Sequence, residues 1–301
     1  MSIALVASRA LIPLVMALPW PIGQAGPTQT ADTDVVQGQA DPWARMTVPV
    51  RIGTSAPLRF LLDTGAQNTV IASSVAQALA LPPGRRATVI GVAGRQQVDT
   101  VEVDEIALGR RSFYGLIAPL LEREHIGADG ILGIDSLQHQ RVLLDFRRNL
   151  IAVDDAKALG GDAGYDIVVT ARRRTGQLIM TNATIDGVRV DVVIDTGAQS
   201  TIGNLALQKA LSRRMLDQPA VLNSVTGQSV TAPIGLAREL KLGELSINNV
   251  AIAYTDAPPF AHLNLHKRPA LLLGMRELRV FRRVAIDFPT RRVLFDLPRG
   301  R

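Results

Sequence analysis

Residues 62–70 read LDTGAQNTV, and residues 194–202 read IDTGAQSTI. Six of these nine aligned positions are identical, and the other three exchange side chains of similar chemistry, at an offset of 132 residues. The similarity continues downstream, where the ILG of residues 131–133 matches the LLG of residues 272–274. A repeat of this length is far too long for a solenoid unit, so the sequence indicates that a whole lobe has been duplicated.

Short apolar segments within each copy have the composition and spacing of β-strands. They are rich in Val, Leu, Ile and Phe and are bounded by Gly, Pro or charged turns. Clear examples cover residues 46–52, 58–62, 141–146, 190–194 and 293–297. Helical patterns cover residues 72–80, 134–140, 204–214 and 275–281. The sequence therefore predicts a mainly β, bilobal fold of two duplicated lobes with a few short helices.

The two predicted lobes span residues 46–153 and residues 165–301. Between them, residues 154–164 are rich in Gly, Ala and Asp and are predicted to form the linker. Ahead of the first lobe, residues 26–45 are small and polar with scattered Pro and Gly, which predicts a linker or a short pro-segment.

The N-terminal segment, residues 1–25, has the pattern of a secretory signal peptide. Residues 3–20 are almost entirely apolar, and the small residues Gly23 and Ala25 occupy the −3 and −1 positions of a cleavage site. This pattern predicts an exported protein that is periplasmic or secreted. The alternative is an uncleaved membrane anchor, because the stretch is close to the ~20 apolar residues that span a bilayer.

The composition of the 301 residues excludes several classes of function. The chain contains no Cys, so it has no disulfide framework, thiolate nucleophile, iron–sulfur cluster or Cys-ligated zinc site. Its formal net charge is +6, but only four of the 33 Lys and Arg residues are Lys, the Arg residues are scattered, and only twelve residues are aromatic. This distribution does not match a basic, aromatic-interleaved surface, so nucleic acid is not expected as a partner.

Each Asp-Thr-Gly sequence follows an apolar strand, which would deliver a carboxylate to the mouth of a buried core. The Gly permits a backbone turn that a Cβ would block. If a pseudo-twofold axis brought Asp63 and Asp195 face to face, the two carboxyls would share one proton at a separation of about 3 Å. One carboxyl could then polarise a peptide carbonyl while the other takes a proton from a bound water.

A purely structural interpretation of Asp-Thr-Gly also exists. A single copy is a common turn, because Asp and Gly favour turns and Thr can cap them. Two copies in the same nine-residue context, each after an apolar strand, favour the paired carboxylates instead.

These features resemble the retropepsin-like aspartic proteases of the bacterial type, with two lobes in one chain as in pepsin-like enzymes. The resemblance covers roughly residues 46–153 and 178–297, and its most specific elements are the two Asp-Thr-Gly-Ala sequences. It implies a catalytic dyad of Asp63 and Asp195. The residues that would support the dyad are Thr64, Gly65, Thr196 and Gly197, with the two Thr hydroxyls interlocked.

The resemblance also implies hairpin flaps that cover the cleft. Two Gly-bearing turns at residues 91–94 and 224–227 lie between apolar, strand-like runs and are predicted to be the flap tips. The residues expected to bind substrate there are Val92, Ala93, Gly94, Val225, Thr226 and Gly227.

The sequence departs from the family pattern just after each Asp-Thr-Gly. Pepsin-like enzymes carry Ser or Thr there, whose hydroxyl bonds the carboxylate, whereas this chain has Ala66 and Ala198. Loss of that donor predicts a higher pKa for the dyad and a working pH nearer neutrality. Retroviral enzymes carry an Asp one position further on, paired with an Arg, whereas this chain has Gln67 and Gln199, so that salt bridge is expected to be missing or replaced.

Other polar residues are predicted to be structural. Asp135 has no acidic counterpart at the aligned position of the second lobe, Arg276, and is predicted to be a carboxylate at the start of a helix. Asp145 and Asp287 recur in the two lobes just before Arg-rich hairpin turns, and each is predicted to pair with an Arg of the turn that follows it. His262 and His266 have the i, i+4 spacing of a metal pair, but Pro residues break their segment and it holds no Glu, so no metal site is predicted.

The sequence thus predicts an aspartic endopeptidase that hydrolyses polypeptides with water activated by two Asp residues. It is expected to be a monomer with pseudo-twofold lobes and to need no metal or organic cofactor. Extra residues in the second lobe, 255–269, are expected to shape substrate preference. The competing hypothesis is a catalytically silent, protease-like module that binds peptides or regulates in the periplasm. A membrane is expected as a partner only if the N-terminal segment is uncleaved, as in a tethered processing protease.

Overall fold

The computed structural model describes residues 35–37, 39–40, 45–211 and 215–298. The predicted signal segment, residues 1–25, lies outside these residues. Within the described residues, no helix is both long enough and apolar enough to cross a membrane.

The first lobe is built around a seven-stranded sheet that closes on itself. In chain order the elements up to residue 154 are β1 (Val35–Gln37), β2 (Gln39–Ala40), β3 (Met46–Ile52), β4 (Leu58–Leu62), β5 (Val70–Ala72), α1 (Ser73–Ala78), β6 (Ala87–Gly91), β7 (Gly94–Val98), β8 (Thr100–Leu108), β9 (Arg111–Leu121), α2 (Arg123–Ile126), β10 (Gly130–Leu132), α3 (Ile134–Leu137), β11 (Arg141–Asp145) and β12 (Leu150–Asp154). The sheet has the strand order β2-β3-β4-β10-β5-β9-β8, and an additional pairing of β3 with β8 closes it into a barrel.

The second lobe repeats this arrangement. Its elements are β13 (Ile167–Thr170), β14 (Arg172–Arg174), β15 (Gln177–Ile185), β16 (Val188–Ile194), β17 (Thr201–Gly203), α4 (Leu205–Leu211), β18 (Ala220–Asn223), β19 (Ser229–Ala232), β20 (Ile234–Leu242), β21 (Leu245–Tyr254), α5 (Pro258–His262), β22 (Ala270–Leu273), α6 (Met275–Leu278), β23 (Arg283–Asp287) and β24 (Arg292–Asp296). The strand order is β14-β15-β16-β22-β17-β21-β20, closed by β15 and β20. Each strand thus has a counterpart in the first barrel, and the predicted fold of two duplicated, mainly β lobes is confirmed.

The strands that precede the two Asp-Thr-Gly sequences lie in the interior of their sheets. β4 runs parallel to β10, and β16 runs parallel to β22. Both β10 and β22 are buried along their whole length. Strands buried on both faces carry continuous apolar runs, which accounts for the sequences GIL and ALLL. Each Asp therefore leaves its sheet at the end of a fully paired, buried strand.

A third sheet joins the two lobes. Its six strands follow the order β1-β12-β11-β23-β24-β13, and β11 of the first lobe pairs antiparallel with β23 of the second. Nη2 of Arg141 lies 2.5 Å from Oδ2 of Asp287, and both side chains are only 1% exposed. Asp145 lies 4.0 Å from Nε of Arg148 in its own hairpin turn, as predicted, but the same prediction for Asp287 is wrong. The register of β11 with β23 places Arg141 directly opposite, so the partner comes from the other lobe.

Part of the segment predicted as a linker, residues 26–45, belongs to the sheets. β1 pairs with β12 at the edge of the joining sheet, and β2 pairs with β3 at the edge of the first barrel. These short strands complete two sheet edges through backbone hydrogen bonds. The pattern of apolar and polar side chains in the sequence does not reveal such pairing. Residues 155–164, between β12 and β13, consist mainly of turns.

Three helices, α1, α3 and α6, begin at or next to the predicted positions but are shorter, and the end of the helix predicted over residues 204–214 lies outside the described residues. α1 ends at Ala78 because Ala80 adopts a left-handed conformation with φ of 50°. α3 and α6 make little more than one turn. Backbone bonds such as those from Gln140 N to Leu137 O and from Phe281 N to Leu278 O then lead the chain into the joining sheet.

Candidate active site

The two Asp-Thr-Gly loops begin where β4 and β16 end. The backbone N–H of Asp63 donates to the carbonyl of Leu132 at 3.1 Å, and that of Asp195 donates to the carbonyl of Leu273 at 3.0 Å. These bonds extend the parallel ladders by one residue, so the position of each carboxylate is fixed by a buried strand. The two Asp side chains themselves are half-buried.

The two loops are interlocked through their Thr residues. The Thr64 hydroxyl donates to the carbonyl of Ile194 at 2.9 Å, and the Thr196 hydroxyl donates to the carbonyl of Leu62 at 2.8 Å. Each hydroxyl also accepts from the backbone N–H of the other Thr, at 2.9 Å to Thr196 Oγ1 and 3.3 Å to Thr64 Oγ1. Four hydrogen bonds therefore tie the loops together, and neither loop can move without breaking bonds to the other.

Each Gly of the two sequences approaches the carboxylate of the opposite lobe. A Cβ added to Gly65 would lie 2.6 Å from Oδ1 of Asp195, and a Cβ added to Gly197 would overlap the carboxylate of Asp63. Only a residue without a side chain allows this approach. The structure thus brings the two predicted catalytic carboxylates together at the contact between the two loops.

Each carboxylate accepts hydrogen bonds from its own loop. Oδ1 of Asp63 accepts from the backbone N–H groups of Gly65 and Ala66, at 2.7 and 3.0 Å. Oδ1 of Asp195 accepts from the two equivalent groups, both at 3.1 Å. The same oxygen of each Asp is therefore occupied by backbone donors, which orients the second oxygen in the same way in both lobes.

Burial raises the pKa of both carboxyls above the ordinary value for Asp. For Asp63 the backbone donors Gly65 and Ala66 and the charge of Arg45 oppose this rise in pKa without cancelling it. For Asp195, burial followed by the negative charge of Asp63 raises the pKa to about 7. Two carboxyls this close titrate as a unit, so the pair retains one proton in weakly acidic solution.

The first turn of each short helix holds the loop that follows the Asp. In the first lobe the backbone N–H of Asp135 donates to the carbonyl of Gln67 at 3.1 Å, and in the second lobe that of Arg276 donates to the carbonyl of Gln199 at 3.1 Å. The salt bridge of the retroviral enzymes was expected to be missing or replaced at Gln67 and Gln199. Backbone hydrogen bonds connect the loop to the helix at both positions.

The helices also brace the loops through side chains, and here the two lobes differ. Asp135 accepts from the backbone N–H of Thr69 at 2.9 Å and from its hydroxyl at 2.7 Å. In the second lobe the equivalent hydroxyl, that of Thr201, donates to the buried carboxyl of Glu277. Burial raises the pKa of Glu277, and the Thr201 hydroxyl partly opposes this rise.

The sequence comparison assigned no acidic counterpart to Asp135, because it placed Arg276 at the aligned position. The structure shows that Glu277, one residue later, takes over the contact with the Thr. A longer Glu side chain on the next residue reaches the same hydroxyl that the shorter Asp reaches in the first lobe. A search for acidic residues within one position of the aligned site would have found it.

Two hairpins contain the predicted flap residues, and each reaches the opposite lobe. Val92, in the turn between β6 and β7, packs against an apolar cluster of the second lobe that includes Phe260 and Leu263. Gly227, in the turn between β18 and β19, lies against the ring of His125 in the first lobe, where an added Cβ would overlap the imidazole. The helices contacted, α5 and α2, hold equivalent positions in the two barrels.

The hairpins also touch each other. A Cβ added to Gly91 would overlap the hydroxyl of Ser224, and one added to Gly94 would overlap the amide of Gln228. The Ser224 hydroxyl lies 2.8 Å from that of Thr226. The remaining predicted flap residues, Ala93 and Val225, lie in the same two turns.

The insertion at residues 255–269 supports the first hairpin. It contains α5, and the amide of the fully buried Asn204 donates to the carbonyls of Leu265 and Arg268, at 2.9 and 2.7 Å. Among the residues that the structure describes, no group of three or more His, Asp or Glu side chains is close enough to hold a metal ion. His262 lies at the end of α5.

Sequence reasoning missed Gln177, which contacts the first Asp-Thr-Gly loop from the second lobe. Its side-chain amide donates to the carbonyl of Gly65, and the residue is only 5% exposed. A second amide crosses in the other direction, from Gln67 to the carbonyl of Thr175 at 3.1 Å. Both contacts join residues that are more than a hundred positions apart, so no local sequence pattern predicts them.

A protein-family model described as aspartyl protease matches residues 48–136 and 181–276. The two matched segments occupy equivalent parts of the two lobes and include both Asp-Thr-Gly loops. A comparison with curated proteins found no match. The family match agrees with the duplicated barrels and with the interlocked loops between them. The chain belongs to the aspartyl protease family.

Proposed function

We propose that this protein is an aspartic endopeptidase in which Asp63 and Asp195 activate a water molecule to hydrolyse peptide bonds. The reciprocal interlock of the two Asp-Thr-Gly loops is the observation that supports it best. Four hydrogen bonds between the loops hold two carboxyls face to face. A carboxyl pair in this arrangement is a general acid and a general base in one site.

The reaction follows from one shared proton. The ionised carboxylate takes a proton from the water, whose oxygen bonds to the peptide carbonyl carbon, while the protonated carboxyl donates to the carbonyl oxygen. The resulting tetrahedral diol collapses when the dyad gives its proton to the nitrogen, one diol hydroxyl gives its proton to the other carboxylate, and the C–N bond breaks. No covalent bond to the protein forms at any stage, and the dyad ends with the proton it began with.

The substrate is an extended polypeptide that lies between the dyad and the two hairpins. β6 with β7 and β18 with β19 form separate two-stranded sheets. An extended peptide can add its backbone hydrogen bonds to such a sheet edge, which gives affinity without demanding one side-chain sequence. Because one chain supplies both lobes, the monomer contains a complete site.

The raised pKa values place the working range nearer neutrality than an Asp with its ordinary pKa would allow. Below the lower pKa of the pair the dyad carries two protons and lacks a base, and above the higher pKa of the pair it carries none and lacks an acid. We expect a bell-shaped profile of kcat/KM between those limits. A maximum below about pH 3.5 would contradict this assignment.

The decisive experiment measures hydrolysis of an unfolded protein by the purified chain between about pH 4 and pH 7. Asp63→Asn and Asp195→Asn are each expected to lower the rate by about 10³-fold or more, because either change removes the acid–base pair. An inhibitor with a hydroxyl group in place of the scissile carbonyl should bind the wild-type chain and protect it from thermal unfolding.

Asp104→Asn is the matched control, since Asp104 is an exposed carboxylate on β8. It should leave the rate unchanged. Undiminished hydrolysis in both dyad variants would overturn the two-Asp mechanism. Peptide binding without hydrolysis by the folded wild-type chain would instead favour the silent, peptide-binding module.

We propose in addition that the protein is exported, on the basis of the N-terminal sequence. Determination of the N-terminus of the mature protein tests this proposal. A terminus near residue 26 supports cleavage of a signal peptide, and retention of residue 1 supports the membrane anchor.

A further inference from the structure

The strand register places a specific residue opposite each catalytic Asp. β3 and β4 pair Thr47 with Leu61, and two more steps along this antiparallel register lead to Arg45 and Asp63. In the second lobe β15 and β16 pair Ile179 with Val193, and two more steps lead to Gln177 and Asp195. Directly opposed residues of an antiparallel pair have Cα atoms about 5 Å apart, so both side chains begin beside the dyad.

The contacts of Gln177 show where a side chain at this position points. Its amide crosses to the other lobe and donates to the carbonyl of Gly65, next to the dyad. Arg45 holds the equivalent register position in the first lobe, and only 8% of the residue is exposed. Nη2 of Arg45 donates to the carbonyl of Ile126 at 2.7 Å, at the end of α2. A buried cation is thus fixed in the first lobe at the position where the second lobe has a neutral amide.

We propose that Arg45 is a positioning residue of the dyad, whose buried guanidinium favours the ionised pair over the neutral one and sets the pH range of the site. This inference rests on the proposed function of the dyad. A charge that is fixed in a poorly solvated site acts strongly on its neighbours, because little water screens it. The cation lies on one side only, so it also makes the environments of the two carboxyls unequal.

The electrostatics of the pair support this assignment. The Arg45 charge lowers the pKa of both Asp63 and Asp195, against the larger effect of burial. The negative charge of Asp63 acts in the opposite direction and raises the pKa of Asp195. Removal of the guanidinium should therefore raise both pKa values together, and the whole pH profile should move to higher pH.

The experiment compares the pH profile of kcat/KM for the wild-type chain and for Arg45→Gln, which copies the second lobe. We expect both limbs of the profile to move up by about one pH unit, the lower end of the range for an opposite charge near a carboxyl. Arg45→Lys keeps the charge and should move the limbs by less than half of that shift. A purely structural role would change the rate or the stability but not the positions of the limbs.

Two further variants control for folding and for the contact with α2. Arg59→Gln removes an exposed guanidinium that donates to the carbonyl of Gly127 at 3.0 Å, at the same end of α2, and should leave the limbs in place. Gln177→Lys adds a cation at the mirror position and keeps a donor for Gly65, so its limbs should move to lower pH. This variant tests the inference even if Arg45→Gln does not fold.

A second readout separates the inference from the proposed function. ¹³C NMR of labelled Asp side chains, assigned with the two Asp→Asn dyad variants, reports the titration of the carboxyls without any turnover. Upward shifts in Arg45→Gln support the inference even if no hydrolysis is found. Unchanged titrations of both carboxyls in a folded Arg45→Gln, or a profile of Gln177→Lys that does not move down, would overturn it while leaving the protease function intact.

Discussion

Around the Asp-Thr-Gly loops, the two lobes are nearly identical where the loops touch each other and differ behind them, where each lobe contacts only itself. At the Thr interlock the two hydroxyl bonds to the opposite carbonyls measure 2.9 and 2.8 Å. Behind the loops, the Thr69 hydroxyl donates to Asp135 in the first lobe. The equivalent Thr201 hydroxyl donates to Glu277 in the second lobe. A bond that ends on the opposite lobe constrains both copies at once, whereas a bond within one lobe can be rebuilt there without changing the other.

The joining sheet shows a second asymmetry, and this one lies at a contact between the lobes. The pseudo-twofold axis relates Arg141 to Arg283 and Asp287 to Asp145, and both cross-strand pairs are in register. Only the first forms an ion pair across the lobes. Arg283 bonds instead to Asp296, at 2.7 Å from Nε to Oδ2. One ion pair of the two therefore connects the lobes, and its removal tests how far the halves depend on each other.

Arg141→Met should have the largest effect on stability. It leaves the carboxylate of Asp287 buried without its partner, which costs about 4 kcal/mol of the free energy of unfolding. Arg283→Met, the matched comparison, removes one partner of Asp296 but leaves Arg282 at 3.6 Å from that carboxylate, so it should cost less, about 2 kcal/mol. Urea denaturation monitored by circular dichroism measures both.

The double variant Arg141→Met with Asp287→Asn should recover part of the loss, because no uncompensated charge remains. Equal costs for the two Arg variants would show that the connection between the lobes does not depend on this pair.

The two braces behind the loops should respond differently to neutral substitutions. Asp135 accepts charge-assisted bonds from both the backbone N–H and the hydroxyl of Thr69, so Asp135→Asn should cost about 2 kcal/mol. Glu277 accepts one hydroxyl bond that Gln can also accept, so Glu277→Gln should cost less than about 0.5 kcal/mol near pH 5.

The stability contributed by Glu277 depends on pH. The pKa of Glu277 is raised on folding, so the neutral carboxyl contributes stability at low pH, and that contribution is lost as pH rises through the folded-state pKa. Glu277→Gln should therefore become more stable than the wild type as pH rises. Thermal unfolding from pH 4 to pH 8 measures the difference, and a parallel decline of both proteins would contradict the assignment.

The sequence was informative about what is local or repeated. The strands at residues 46–52 and 58–62 have the predicted ends, since apolar runs stop at Gly53 and at Asp63. Both hairpin turns were found because their Gly residues lie between apolar runs. The duplication itself led to the two Asp residues, and the structure brings them together.

Contacts between distant residues left no local pattern. Arg141 and Asp287 are 146 positions apart, and the amide of Gln177 reaches a carbonyl 112 positions away. Glu277 is displaced by one residue from the position that alignment assigns, because a longer side chain on the next residue serves the same hydroxyl. Periodicity records which face of an element is buried, but it does not record which polar group lies on the other side of the interface.

The contact between the two hairpins gives the most specific test of the comparison between the lobes, and the expected effect is the smallest. Gly91 of the first hairpin meets Ser224 of the second, its aligned counterpart, and no space remains for a side chain on Gly91. Gly91→Ser should push the hairpins apart and raise KM about fivefold, or ~1 kcal/mol, with kcat unchanged. The exchange Gly91→Ser with Ser224→Gly restores one hydroxyl between the hairpins and should return KM to its wild-type value. If the exchange is as impaired as the single variant, the requirement lies in the backbone of residue 91 and not in the space between the hairpins, and the two flaps are not interchangeable at their point of contact.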